Sequence, residues 1–146
     1  MMSAYVTRQD LIDTDGSYVW NVAINRETNA LDEVAIAKAL TATDEEINSL
    51  LSRRFKVPLE TTVPSMLNRQ AISIAFYWLA DRDNQATELV RKRYEDAIKV
   101  IKEIANGTRD LGLPTLEQPT ETTSGKVIMT GKNPRIFTRN SLKGVL

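Results

Sequence analysis

Residues 71–80 hold nine apolar side chains in ten, interrupted only by Ser73. The run is well short of the roughly 18 apolar residues that a membrane span needs. It therefore reads as a helix that is apolar nearly all round and must be buried by neighbours on most of its sides. Pro64 fits the first position of such a helix. The spacing then predicts a helix over 64–81, with Leu67, Ala71, Ile74, Ala75 and Trp78 on one face and Ile72, Phe76, Tyr77 and Leu79 covering much of the rest. A helix of this kind obliges the chain to supply others to wrap it. With 146 residues the chain is long enough to bury a core without disulfide or metal staples. The expected fold is mainly α: a small bundle of three to four helices.

Two further helices follow from periodicity. Over 31–55, Ile36, Leu40, Ile47, Leu50 and Leu51 recur at three- and four-residue steps, and Pro58 ends the element. The stretch Thr41-Ala42-Thr43-Asp44 leaves open a break into two helices, with Thr43 capping the second opposite Glu46. Over 86–106, Val90, Tyr94, Ala97, Ile98, Ile101 and Ala105 form a stripe, and Asn106-Gly107 supplies the C-cap. The pairs Glu88–Lys92, Arg91–Glu95, Glu95–Lys99 and Lys99–Glu103 place opposite charges four residues apart on its outer side. Nearer the start, Thr7 and Asp10 suit a capping box that opens a short helix, which Asp13-Thr14-Asp15-Gly16 should stop. Tyr18, Trp20, Val22 and Ile24 alternate at period two, so an extended segment is expected near 18–24.

The pattern dissolves after Leu113. Residues 114–125 are rich in Pro, Thr, Ser, Glu and Gly and read as a linker. Residues 126–146 regain spaced apolar groups without a helical period and read as an extended C-terminal docking arm, which leaves 1–113 as the helical domain. Net charge is zero but unevenly spread. Residues 1–60 carry 6 basic and 10 acidic side chains, whereas 122–146 carry 5 basic and no acidic ones. Such an arm suits an acidic surface, including one on a neighbouring copy.

Neither Cys nor His occurs. Thiolate chemistry, Cys-ligated zinc and His-based triads are therefore excluded within one chain. Asp13, Asp15 and Gly16 fail as a calcium loop, because its sixth position would be Tyr18 and its twelfth Ile24. The triplet Asp44-Glu45-Glu46 is explained by the dipole of a helix N-terminus. Phe76, Tyr77 and Trp78 read as core rather than as a ligand pocket. Arg91-Lys92-Arg93 and Arg53-Arg54 are phosphate-compatible, but outside the arm the chain is net acidic, which disfavours specific nucleic-acid binding. No catalytic residue, cofactor or metal is expected. The opening Met-Met-Ser-Ala-Tyr lacks the basic and apolar regions of a signal peptide, so synthesis in the host cytoplasm is expected.

Several segments resemble the Mu-like phage head–tail connector (adaptor) family. They are Leu51-Ser-Arg-Arg-Phe-Lys-Val-Pro-Leu59 with Val63-Pro64, Arg93-Tyr94-Glu95-Asp96-Ala97, Ile104-Ala105-Asn106-Gly107, Leu111-Gly112-Leu113, and the tail from Arg135 through Gly144. The similarity covers most of the chain in order, and residues 18–29 fit the pattern least. The resemblance implies a structural virion protein at the neck of a tailed phage, in a ring of about a dozen copies. Its partners would be further copies of itself, the portal protein and a neck or tail completion protein. Genomic DNA would pass through the lumen without sequence specificity, and no membrane would be involved. Within the arm, Ile136, Phe137 and Leu142 are the expected interface anchors, with Arg135 and Arg139 supplying charged contacts. Rival readings are an assembly factor absent from finished virions and a helical DNA-binding regulator.

Overall fold

The computed structural model describes residues 4–116, which form helices α1 (Arg8–Val22), α2 (Glu33–Leu51), α3 (Ser65–Asp81) and α4 (Glu88–Asn106), with strands β1 (Ile24–Asn25) and β2 (Ala30–Leu31) between α1 and α2. The mainly α bundle expected from the sequence is what the chain adopts. Helix α3 is its centre and packs on α1, α2 and α4. Leu67, Ala71, Ile74, Ala75, Phe76, Leu79 and Ala80 are all buried, as an all-round apolar helix requires.

Helix boundaries follow local chemistry. At α4, the Thr87 hydroxyl accepts from Val90 N–H at 3.2 Å, and Gly107 closes the C-terminus in the left-handed region at φ 86°. Val90, Ala97, Ile101, Ile104 and Ala105 face the core. The expected i,i+4 ion pairs of α4 do not close: among the described residues none reaches 4.0 Å. Long side chains in water gain too little from one fixed geometry to hold it.

Helix α2 runs unbroken through Thr43, and so decides the question of a break. The Thr43 hydroxyl donates to Ala39 O at 2.8 Å and is fully buried, so it satisfies itself inside the helix rather than capping a second one. The helix ends at Leu51, several residues before Pro58. The acidic triplet consequently lies mid-helix and owes nothing to a dipole.

The larger correction concerns the start of the chain. The Thr7–Asp10 capping box forms as expected. Asp13–Gly16, however, kinks the helix instead of ending it: Asp15 leaves helical geometry at φ −159°, ψ 80°, and helix resumes to Val22. The Asp15 carboxylate accepts from Tyr18 N–H at 3.1 Å and so caps the second half. Residues 18–22 are therefore helical, not extended. Leu11, Val19 and Val22 are buried while Trp20 stays 48% exposed, so the period-two face does not exist. Packing on α3 overrides the strand propensity of these residues.

The extended piece begins instead at Ile24, which pairs with Leu31 as Asn25 pairs with Ala30. Asn29 turns the hairpin at φ 57°. Two-residue strands cannot stand alone. Arg82, at the end of α3, secures them: its Nη2 donates to Val22 O at 3.1 Å and its Nη1 to Asp32 at 3.3 Å. Arg54 performs the same service at the far end of α4, donating to Ile104 O at 2.9 Å and Arg109 O at 3.3 Å.

Candidate interaction surfaces

The interface residues expected from the sequence, Arg135, Ile136, Phe137, Arg139 and Leu142, lie outside the described residues, as do the arm and most of the linker. What the helical block offers is a set of polar anchors and two open surfaces.

The anchors centre on α2. Asp44 receives Ala4 N–H at 2.9 Å and Tyr5 N–H at 3.4 Å, and the Tyr5 hydroxyl donates to Asn48. Tyr5 and Val6 are thereby held in the core, at 2% and 1% exposure. Burial pushes the Tyr5 phenol above its usual range. Asn68, on α3, donates to Tyr5 O at 2.8 Å and to Asp10 at 3.2 Å. Partial burial raises Asp10, but bonds from Thr7 N–H, the Asn68 amide and the Thr7 hydroxyl outweigh it and hold the carboxyl below its ordinary value.

One turn along α2, Glu46 accepts from Trp78 Nε1–H at 3.2 Å and from the Tyr94 hydroxyl at 2.8 Å. Tyr94 stacks on Tyr77 at 4.1 Å between ring centroids and meets Trp78 edge-on at 6.2 Å. Desolvation, followed by the bond to Glu46 and its charge, pushes the Tyr94 phenol strongly upward. The reading of Phe76, Tyr77 and Trp78 as packing residues holds: Phe76 is buried, and the other two are half-buried against the core. The role of Glu46 was missed, because a carboxylate facing two aromatic donors on other helices leaves no local signal.

The first open surface is the outer face of α2, where Val34 (66% exposed), Ala37, Thr41 and Ala42 lie between Lys38 and the acids Glu33 and Glu45. The second is a notch of about 430 Å3 at the α1 kink. Its floor is Ile72, Phe76 and Val90, and the Tyr18 ring packs on Phe76 at 5.6 Å. Asp15, Ser73 and Arg93 supply polar walls. The Tyr18 hydroxyl oxygen is buried there and has no hydrogen-bond partner among the described residues. Among those residues no three acids converge as a metal would require, and no helix is long and apolar enough to cross a membrane.

This architecture of a helical block with residues 117–146 beyond it can be set beside known sequences. The family model described as Bacteriophage Mu, Gp36 matches residues 5–130, which takes in the whole helical block. The chain belongs to the bacteriophage Mu Gp36 family. Two Gp36-family relatives agree with that membership. The Mu-like prophage FluMu protein gp36 of Haemophilus influenzae is 32% identical over 146 residues, covering 99% of this chain and 100% of the relative. Gene product J of Escherichia phage Mu is 28% identical over 109 residues, 74% of each chain. The Gp36 match ends at residue 130, before the arm residues 135–142, but the prophage alignment spans nearly the full chain. The chain is thus a protein of the phage Mu and Mu-like prophage lineage.

Proposed function

We propose that the chain is a structural head–tail connector (adaptor) subunit of a tailed phage: one member of a ring at the virion neck, between the portal and a neck or tail completion protein, through which DNA passes. The supporting observation is the near end-to-end likeness to a Mu-like prophage protein, carried on a block whose prominent polar groups are committed to structure. Asp44, Glu46, Asn68, Arg54 and Arg82 each fasten one element to another. A ring subunit needs such internal rigidity, because heterologous contacts close a ring only when every copy holds the same shape.

The role is mechanical, with neither catalytic residue nor cofactor. The ring holds about a dozen copies. Genomic DNA slides through a lumen that reads no sequence, to which the net charge of zero offers little electrostatic grip. The arm, through Ile136, Phe137 and Leu142 with Arg135 and Arg139, makes the contact that joins one subunit to the next protein in the neck.

Electron microscopy of particles made with and without the gene tests this reading. Loss of the gene should give filled heads and separate tails. Labelled protein should mark the neck of complemented virions. Joined particles without the protein, or label confined to unassembled fractions, would refute the connector role and favour a non-virion assembly factor.

A further inference from the structure

The notch at the α1 kink is open yet chemically unfinished. Its floor of Ile72, Phe76 and Val90 is apolar, and the Tyr18 hydroxyl beside it is buried without a partner. Buried polar groups are nearly always bonded, so a lone phenol in an open notch marks a place where a second group completes the set. Asp15 and, one turn earlier, the exposed Asp13 give the rim negative charge, while Arg93 stands on the opposite wall. An occupant must therefore bring an apolar anchor, cationic groups for the acidic side, and a carbonyl or other acceptor for Tyr18 and Arg93.

Resting on the connector reading, we propose that this notch is the receptor for residues 135–142 of a second copy's C-terminal arm. That segment reads Arg-Ile-Phe-Thr-Arg-Asn-Ser-Leu, and residues 122–146 contain no acid. Phe137 supplies a ring for the Phe76 floor, where aromatic pairs gain from edge or offset contact. Arg135 and Arg139 address Asp13 and Asp15. Backbone carbonyls of the arm accept from Tyr18 and Arg93. The charges select the arm's direction, since a reversed segment would set its arginines against Arg93. Reach is sufficient: the 18 residues between Leu116 and Arg135 span up to about 60 Å when extended.

The chain has no cysteine, so introduced pairs report without background. The full-length Thr14→Cys protein is mixed with a size-tagged full-length Thr138→Cys protein under mild oxidation, and the mixed dimer is read on a non-reducing gel. Disulfides form only when the two Cα atoms come within about 7 Å. A second mixture replaces Thr14→Cys with Val34→Cys on the outer face of α2. The proposal expects mixed dimer at least ten times more abundant with Thr14→Cys, and its loss when Phe137→Ala is added to the tagged chain. Equal or greater yield with Val34→Cys, no mixed dimer from copies that sediment as oligomers, or yield indifferent to Phe137→Ala would overturn it. Sedimentation of the unmodified chain separates the two readings. Association without this cross-link defeats the notch alone, whereas a chain that stays monomeric at all concentrations and is absent from virions defeats the connector reading as well.

Discussion

Glu46 shows how much a single side chain can carry when two helices converge on it. Its carboxylate takes the Trp78 indole N–H and the Tyr94 hydroxyl together, tying α2 to α3 and α4 through one residue. Glu46→Ala leaves both half-buried donors without an acceptor and should destabilise the fold by about 1–3 kcal/mol, measured by urea unfolding. Tyr94→Phe removes one donor but keeps the stack on Tyr77, so it should cost only about 0.5–1.5 kcal/mol. A larger loss for Tyr94→Phe than for Glu46→Ala would contradict this account. The pair also has a pH signature. A phenol raised above its model value of 10.0 favours the proton-bearing folded state. Its contribution is complete below that pH and is lost as pH rises beyond it. Tyr94→Phe should therefore flatten the alkaline decline of stability, with pH-dependent melting above about pH 10 as the check.

Among the elements, α1 is where local preference and packing diverge. Gly16 sits just past the kink with an unexceptional backbone, and a Cβ there would meet only Ile12 Cγ2 at 3.8 Å. Gly16→Ala should raise stability by about 0.5–1 kcal/mol through helix propensity, seen as a higher melting temperature. A lower one would mean that the kink needs glycine. The N-terminus of α1 has an acid signature. The Asp10 carboxyl is held low by Thr7 and Asn68, so its contribution is present above the unfolded pKa and disappears as pH falls through the folded one. Asp10→Asn should flatten the acid limb below about pH 4 in equilibrium unfolding. These cases mark what was legible. The Thr7 cap, the Gly107 cap and the all-round apolar α3 are written in adjacent residues or simple spacing. Residues 18–22 are not: Tyr18-Val-Trp-Asn-Val has strand propensity, and only contact with α3 makes it helical. Glu46, Asn68 and Arg82 act across 32 to 63 residues of sequence, where neither period nor local motif reaches.

At the scale of the whole molecule, the core is closed by residues that all lie between Tyr5 and Ala105. Tyr5 and Val6 seal one end, Arg54 and Arg82 fasten the loops, and α3 fills the middle. Nothing in that closure calls on the arm. The arm in turn carries too few apolar groups to fold by itself, and the organisation implied is a self-sufficient block with a separate joining segment. The consequence is sharp for the double variant Phe137→Ala, Leu142→Ala. Helical circular dichroism and the unfolding midpoint should match those of the parent, because no buried residue of the block is altered. Incorporation into particles should fall to background, since buried aromatic and aliphatic anchors dominate interfaces of this kind. A melting temperature several degrees lower would mean that the arm belongs to the block's own core, and the separation into block and joining segment would fail. An unchanged midpoint with normal assembly would remove Phe137 and Leu142 from the contact while leaving the helical account intact.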